Sequence, residues 1–318
     1  MRELKMLCSW FYKHTQHLAF IGLGVFIIPV WADIYIADLK GGTAKEIEAA
    51  KIEIIRNGKS TEEYPFNFKL KTGDNIIVPK GISIILSDNT EVTDKDSPYR
   101  VEDKTVVSNH SFGEKFSQVW GWIKNISSFR ILSAEMGTQE GEEKIPKIEL
   151  LKENNAKLVA SQRQLHLAWQ DGEPPYQVEL FHHQVGAVSE RSLVKSVTVD
   201  DKKVTLKGLS FQAGQPYQVI VTDKHGNKTE GTFTAVAQAQ YDTILLQAKA
   251  ITQSKLSSQV KKALLAAWLV NQEQGQWRLQ AYQKVAGITE QNSYLAFLVQ
   301  QGLQGGIAPL QKQATKPE

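Results

Sequence analysis

The sequence has very little cysteine. Its only thiol belongs to Cys8, which precedes the first apolar segment of the 318-residue chain. The rest of the chain can therefore form no disulfide, and it offers no thiolate as a zinc ligand or nucleophile. The chain also lacks the Gly-x-Ser-x-Gly, P-loop, His-Glu-x-x-His and dinucleotide-binding glycine patterns. We therefore expect a protein that is not an enzyme, with no cofactor and no metal.

A strong charge of one sign is also absent. Lysine and arginine total 37 against 34 acidic residues, which gives a net charge of +3 and a pI near 8.7. Nucleic-acid binding needs a clustered basic face, so this composition does not indicate such a partner. With 42% hydrophobic residues over 318 positions, we expect two or three domains.

The N-terminal residues have the order of a secretory signal peptide. Arg2 and Lys5 precede an apolar run from Leu18 to Ala32. A run of about 15 residues fits a signal peptide and is shorter than the ~20 that a membrane-spanning helix needs. Pro29 and the small residue Ala32 predict cleavage between Ala32 and Asp33, which would release the remainder into the periplasm.

An uncleaved membrane anchor is the alternative. Ile34, Tyr35 and Ile36 could lengthen the apolar segment beyond the single charge of Asp33. The protein would then be a signalling accessory held in the inner membrane. A buried helix of a soluble protein is a third interpretation, but no polar residue makes the run amphipathic.

Short alternating segments separated by turn formers predict a small β-domain over residues 49–107. Strands this short must close or stack to bury a face, which favours a β-roll or barrel. The predicted strands are 52–56, 66–70, 75–78, 82–86, 91–93 and 99–101.

The stretch from Leu70 to Val92 resembles the FecR-type domain. That family repeats a leucine, a Gly-Asp pair, an apolar residue and a glycine-preceded strand that ends in an Asp-Gly turn. The resemblance covers roughly Ala49 to Val107. Asparagine at the position of the family's last glycine also tolerates a positive φ. The matching residues are Leu70, Gly73, Asp74, Ile76, Gly81, Asp88 and Asn89.

The FecR resemblance implies a periplasmic signalling or interaction module. Sensors of that family carry a cytoplasmic anti-sigma domain before the membrane segment, whereas about 17 residues precede the apolar run here. That departure argues against sigma-factor regulation. The acids Asp88, Asp94 and Asp96 lack the glycine and distal glutamate of a calcium loop, so we expect them to be solvated turn residues.

Residues 108–147 combine a predicted helix with an acidic linker that ends near Pro146. Apolar residues at helical spacing predict that the helix packs across the first domain. These residues are Phe112, Phe116, Val119, Trp120, Ile123 and Ile126.

Residues 148–237 alternate again and predict a β-sandwich of six or seven antiparallel strands. Leu209, Gly214 and Tyr217 resemble the tyrosine corner of fibronectin type III and related immunoglobulin-like domains, and Trp169 is expected to fill the core. The resemblance implies a fold, not an activity. The predicted strands are 165–169, 176–181, 193–199, 204–206, 217–222 and 229–233.

Residues 238–304 are rich in alanine, leucine and glutamine, and their helical period predicts a bundle of about four helices. Thr289 is the predicted N-cap of the last helix and Gly302 its C-cap. Residues 305–318 are predicted to be a disordered tail. The aromatic spacing does not match a tetratricopeptide repeat.

The predicted fold is therefore multidomain and mainly β with α: a FecR-like β-roll or barrel, an Ig-like β-sandwich and a C-terminal helical bundle. The predicted function is that of an exported cell-envelope protein that binds or scaffolds other proteins. A membrane-anchored signalling accessory and a peptidoglycan- or glycan-binding module are the alternatives. The expected partner is an envelope protein or the cell wall, with no nucleic acid.

Overall fold

The computed structural model confirms the fold class, which is mainly β with helices at the C-terminal end. It describes residues 34–61, 66, 68–102, 119–126, 145–152, 155–183 and 191–308. All of these belong to one compact unit. The predicted cleavage site at Ala32 and Asp33 and most of the predicted acidic linker lie outside the described residues.

Eight short antiparallel strands form two four-stranded sheets in the first part of the chain. One sheet has the order β4-β1-β6-β7 and the other β3-β2-β5-β8. Isoleucines from both sheets are fully buried, including Ile36, Ile54, Ile76 and Ile84. The strands are β1 (Ile34–Lys40), β2 (Glu53–Arg56), β3 (Lys59–Thr61), β4 (Lys69–Leu70), β5 (Asn75–Ile77), β6 (Ser83–Leu86), β7 (Glu91–Thr93) and β8 (Tyr99–Arg100).

Strand β1 lies outside the predicted β-domain of residues 49–107, yet it is an inner strand of its sheet. It pairs with β4 and β6. Ile34, Tyr35 and Ile36 therefore belong to a paired strand, and the idea that they lengthen the apolar leader is wrong. A short helix, α1 (Ala44–Ala49), follows and begins with a capping box between Thr43 and Glu46.

The second part of the chain forms a sandwich of a five-stranded and a two-stranded sheet. The orders are β12-β11-β14-β15-β9 and β10-β13. Strand β9 pairs with β15 in parallel, so the prediction of a wholly antiparallel sandwich is wrong at this pair. The strands are β9 (Ala156–Val159), β10 (Gln164–Ala168), β11 (Tyr176–His183), β12 (Arg191–Val199), β13 (Lys203–Lys207), β14 (Pro216–Thr222) and β15 (Lys228–Val236).

The linker prediction is wrong at its C-terminal end. Lys147 and Gln170 exchange two backbone hydrogen bonds of 2.9 Å, so this part of the segment is joined to the sandwich. The next residues form a 3₁₀ turn, Glu149–Leu151, in which Leu150 and Leu151 are buried. Leu151 packs against Gly231 of β15, where an added Cβ would lie 2.5 Å from the leucine Cβ.

The helices are α2 (residues 119–126), α3 (Gln238–Gln247), α4 (Lys249–Thr252), α5 (Ser258–Leu269), α6 (Arg278–Val285) and α7 (Tyr294–Gln304). The predicted caps of the last helix are wrong at both ends. Ser293 is the N-cap, because its side chain accepts a hydrogen bond from the Ala296 N–H. Gly302 lies inside the helix, and Gly305 is the C-cap.

A buried carboxylate joins β1 to the N-terminus of α7. Asp38 has no exposed surface, and its Oδ1 accepts hydrogen bonds from the Leu39 N–H at 2.8 Å and the Leu295 N–H at 2.9 Å. Its Oδ2 has no hydrogen-bond partner among the residues that the structure describes. Burial raises the pKa of Asp38 to about 6, although hydrogen bonds from Ser293, Leu295 and Leu39 oppose the shift.

The residues after α7 fold back onto the helices. The Ile307 carbonyl accepts hydrogen bonds from Trp122 Nε1 at 3.3 Å and from the Arg278 guanidinium at 2.9 Å. The predicted disordered tail of residues 305–318 therefore begins too early, while residues 309–318 lie outside the described ranges.

The close approach of α2 to α7 depends on Gly302. A Cβ at this position would lie 2.4 Å from Ile126 Cδ1 and 3.3 Å from Trp122. We expect Gly302→Ala to lower the free energy of unfolding by roughly 1–3 kcal/mol through overpacking. Gly287→Ala is the control, because nothing lies within 4 Å of its added Cβ. Urea unfolding checks both, and equal effects would contradict this account.

Ionisation of Asp38 destabilises the fold, since its folded pKa of about 6 exceeds the usual aspartate value of 3.8. The contribution of Asp38 to the free energy of unfolding is therefore most favourable below about pH 4, and it is lost as the pH rises through about 6. We expect Asp38→Asn to leave stability unchanged near pH 4 and to raise it at neutral pH by at most roughly 3 kcal/mol. Urea titrations across this range measure the difference, and a variant that gains nothing at neutral pH would contradict the assignment.

Candidate functional site: the open edge of the sandwich

Each sheet of the sandwich has one edge that is covered by the helices. At β9, the Val159 N–H donates to Gln280 Oε1 at 3.0 Å, and the Lys157 N–H donates to the Gln276 carbonyl at 2.8 Å. At β10, the amide of Gln283 accepts from the His166 N–H at 2.8 Å and donates to the His166 carbonyl at 2.9 Å. The side chains and backbone around α6 thus satisfy polar groups that would otherwise remain unpaired.

The other edge of each sheet is open. Strand β12 pairs only with β11, and β13 only with β10, among the strands of the described part of the chain. The turn at residues 200–202 joins β12 directly to β13. We call these two strands and their turn the open edge.

Apolar side chains are exposed on the open edge. Every residue from 191 to 196 is exposed. Leu193 and Val194 expose 54% and 38% of their surface, and the described residues contain only two other large hydrophobic side chains of this kind, Ile145 and Leu246. These two adjacent apolar side chains lie on an edge strand whose outer side pairs with no described strand, which makes them a candidate attachment point for a partner.

The β12 strand contains a bulge. Leu193 lies opposite Phe181 and Lys195 opposite Leu180, which leaves Val194 without an opposite residue. Beyond the bulge the register is regular from Lys195 to Val199. A bulge on an edge strand increases its twist and hinders uncontrolled pairing along its length.

The open edge is positively charged. Between residues 191 and 207 there are five basic side chains and two acidic ones, Asp200 and Asp201, which gives a net charge of +3. Within the described ranges, none of the five basic groups has an ion-pair partner. All of them are exposed: Arg191, Lys195, Lys202, Lys203 and Lys207.

The residues predicted to form the tyrosine corner hold the sandwich together. The Tyr217 hydroxyl accepts a hydrogen bond from the Gln212 N–H at 2.9 Å, and its ring stacks on Phe233 at 5.4 Å. Leu209 is buried, and Gly214 has a φ of +84°. This arrangement resembles the tyrosine corner of immunoglobulin-like sandwiches, in which the hydroxyl hydrogen-bonds to the backbone a few residues upstream.

Trp169 lies in the sandwich core. It is 4% exposed and packs edge-on against Tyr176 at 5.1 Å. It is therefore a packing residue and does not contribute to the open edge.

The Gly73–Asp74 pair anchors the backbone of the first part of the chain. Asp74 is 2% exposed and accepts two hydrogen bonds from Arg56, at 2.9 Å from Nε and 2.7 Å from an Nη atom. The Lys71 N–H donates to the same carboxylate at 2.8 Å. These donors hold the pKa of Asp74 below its usual range against the opposing effect of burial.

The other motif residues have local structural roles. Gly73, Gly81 and Asn89 have φ values of +89°, +78° and +67°, the left-handed region that glycine and asparagine tolerate. Asp88 Oδ1 accepts a hydrogen bond from the Thr90 N–H at 2.9 Å. Leu70 and Ile76 are buried.

The acids considered for calcium are occupied by turn hydrogen bonds. Asp94 accepts from the Gly81 N–H at 3.1 Å, and Asp96 accepts from the Thr93 N–H at 2.9 Å. No group of three potential metal ligands occurs among the described residues.

A shallow depression of about 310 Å³ lies on the five-stranded sheet. Gln218 lines it, and its Oε1 has no hydrogen-bond partner. That oxygen is buried, however, and the amide nitrogen already donates to Glu230 at 2.8 Å. The depression therefore offers a ligand no solvent-accessible polar atom of Gln218 that is unpaired. Its other lining residues are Asn155, Pro216, Tyr217, Thr232, Phe233 and Thr234.

Sequence reasoning located β12 but assigned it no role. The signal was present, because the adjacent Leu193 and Val194 interrupt the alternation expected of a half-buried strand. The alternation of apolar and polar residues does not show which strands lie at the edges, because that depends on the order of the strands in each sheet.

Comparisons with known proteins identify no family: no family model matches the chain, and neither does any curated protein. Among solved structures, the superoxide reductase (neelaredoxin) from Ignicoccus hospitalis is 18% identical, covers 33% of this chain and 90% of its own, and has a TM-score of 0.23. The fn3 domain of human collagen alpha-1(XX) chain is 20% identical over 31% and 93%, with a TM-score of 0.22. CopC from Methylosinus trichosporium OB3b is 18% identical over 27% and 87%, with a TM-score of 0.21. Likenesses this low carry no argument about function.

In the described ranges, no helix combines the length and the apolar character that crossing a bilayer requires.

The motif aspartate provides a test of its structural role. We expect Asp74→Asn to lower the free energy of unfolding by roughly 2–4 kcal/mol, because it replaces a buried carboxylate that accepts two hydrogen bonds from Arg56 and one from the Lys71 N–H. Asp96→Asn, at an exposed cap, is the milder control. Chemical denaturation compares the two variants. Unchanged stability in Asp74→Asn would show that this carboxylate is not a structural anchor.

Proposed function

We propose that this chain is an exported cell-envelope protein that binds or scaffolds a protein partner and performs no catalysis. The observation that carries the proposal is the open edge of the Ig-like sandwich. There, six consecutive residues of β12 are exposed, and they include Leu193 and Val194. The opposite edge of each sheet is covered by the helices. An edge left unpaired in this way can accept a strand from another protein.

The remainder of the fold can serve as a rigid support for the open edge. The FecR-like residues hold turns and a buried ion pair, so their chemistry supports a scaffold. Periplasmic localisation is supported by the basic N-terminus, the apolar run and the small residues before Asp33. Inner-membrane anchoring would follow only if that leader remained uncleaved, and the protein would then be a signalling accessory.

Export is tested with a reporter enzyme that is active only outside the cytosol, fused after Glu318. We expect activity from the native leader and a loss of at least about tenfold with Leu23→Arg, which interrupts the apolar run. An inactive fusion with the native leader, together with activity of a second reporter that functions only in the cytosol, would refute export. N-terminal sequencing separates the two exported forms, because cleavage predicts a chain that begins at Asp33.

Binding at the open edge is tested by photo-crosslinking in intact cells. A photoreactive residue at position 193 should give a covalent adduct with one protein, identified by mass spectrometry. The same residue at position 246 is the matched control, because Leu246 is 59% exposed but lies on a helix. Val194→Asp should weaken the adduct several-fold. Equal adducts at both positions, or none at position 193, would contradict the proposal.

A further inference from the structure

We infer that the partner of the open edge is an acidic, extended protein segment that adds to β12 as an additional strand. This inference rests on the proposed function and specifies the chemistry of the partner. Three observations on the described residues support it: the outer side of the β12 backbone pairs with no strand, Leu193 and Val194 are exposed, and the five basic side chains of the open edge have no ion-pair partner.

The backbone of β12 supplies the hydrogen bonds. One side of the strand pairs with β11 from His183 to Tyr176, except at the bulge of Val194. The alternate N–H and C=O groups that point away from β11 meet no described strand. The regular stretch Lys195–Val199 can pair with a segment of about five residues, which spans roughly 17 Å.

The apolar pair sets the second requirement. Leu193 and Val194 are exposed next to this regular stretch, at the bulge. A segment that carries apolar side chains at alternate positions would cover them and remove their surface from water. Phosphate groups of a nucleic acid or of a lipid headgroup would leave these two side chains exposed, which favours a protein partner.

The charges set the third requirement. Arg191 and Lys195 lie on the strand itself, while Lys203 and Lys207 extend the positive surface along β13. A second copy of this chain would bring the same net charge of +3 against itself, so the edge disfavours self-association. Acidic side chains in the partner would meet basic groups that lack a counter-ion.

The test uses the purified full chain and fluorescent peptides of about ten residues that alternate valine with glutamate or with lysine. We expect the acidic peptide to bind at least about tenfold more tightly than the basic one, with an affinity that falls as salt rises. Methylation of every second backbone nitrogen of the acidic peptide, on the edge that faces β12, should abolish binding, because it removes the ladder donors.

Charge reversal in the protein provides the matched comparison. Arg191→Glu combined with Lys195→Glu should reverse the peptide preference. Lys249→Glu combined with Lys255→Glu, at exposed positions of the helical region, should leave it unchanged. Thermal unfolding checks that all variants remain folded.

Three results would overturn the inference: equal affinity for acidic and basic peptides, binding that survives backbone methylation, or tighter binding of duplex DNA or anionic vesicles than of the acidic peptide. If no peptide binds while the crosslink at position 193 persists, the acidic-strand inference fails and the proposed function stands. If the crosslink is absent as well, both fail.

Discussion

The buried Asp38 carboxylate connects the first strand of the described chain to its last helix. It accepts the backbone N–H of Leu295 from a position 257 residues away in the sequence. A negative charge at a helix N-terminus is favourable, but this one is removed from water and one of its oxygens is unpaired. The contact is therefore specific in geometry and costly in desolvation. Its main consequence is that it holds the N-terminus of α7 against β1.

The position of α7 in turn constrains the other helices and the sandwich. Arg278 of α6 donates to the Leu303 carbonyl near the end of α7 and to the Ile307 carbonyl just beyond it. From the same helix, Gln280 and Gln283 reach the backbone of β9 and β10. One side of the sandwich is closed by this chain of contacts. The open edge at β12 and β13 is the side that the chain of contacts does not reach.

The sequence predicted the local pattern of the fold well and its long-range pairing poorly. Strand 91–93 agrees with the structure, and most other predicted strands differ by one to three residues at their ends. Strand β1 was missed because its apolar residues follow directly on the apolar leader, so no change of pattern marks its start. Strand β9 was missed because its single alternating segment is short and pairs in parallel with a strand much later in the chain. The proposed domain boundaries and the FecR relationship stay predictions.

The candidate site was the hardest part to predict, for a physical reason. Whether a strand is at an edge depends on which strands pair, and pairing is decided by contacts between distant residues. The Asp74–Arg56 pair illustrates the same limit: the motif pointed to the aspartate, but its partner 18 residues earlier carries no sequence signal. The glutamines of α6 likewise carry no sequence signal for their hydrogen bonds to β9 and β10.

The covered edge and the open edge of this sandwich carry different side-chain chemistry. Neutral glutamine amides close the first, and basic side chains line the second. Glutamine offers both a donor and an acceptor, so Gln283 can satisfy an N–H and a C=O of the same residue, His166, without introducing a charge. Arginine and lysine on β12 cannot close the edge in this way, because they have no acceptor for a backbone N–H. They instead repel other basic surfaces while leaving the backbone accessible. A sandwich with one edge closed by neutral amides and the other edge open and basic would allow the proposed strand partner to be selected by its charge, without a pocket.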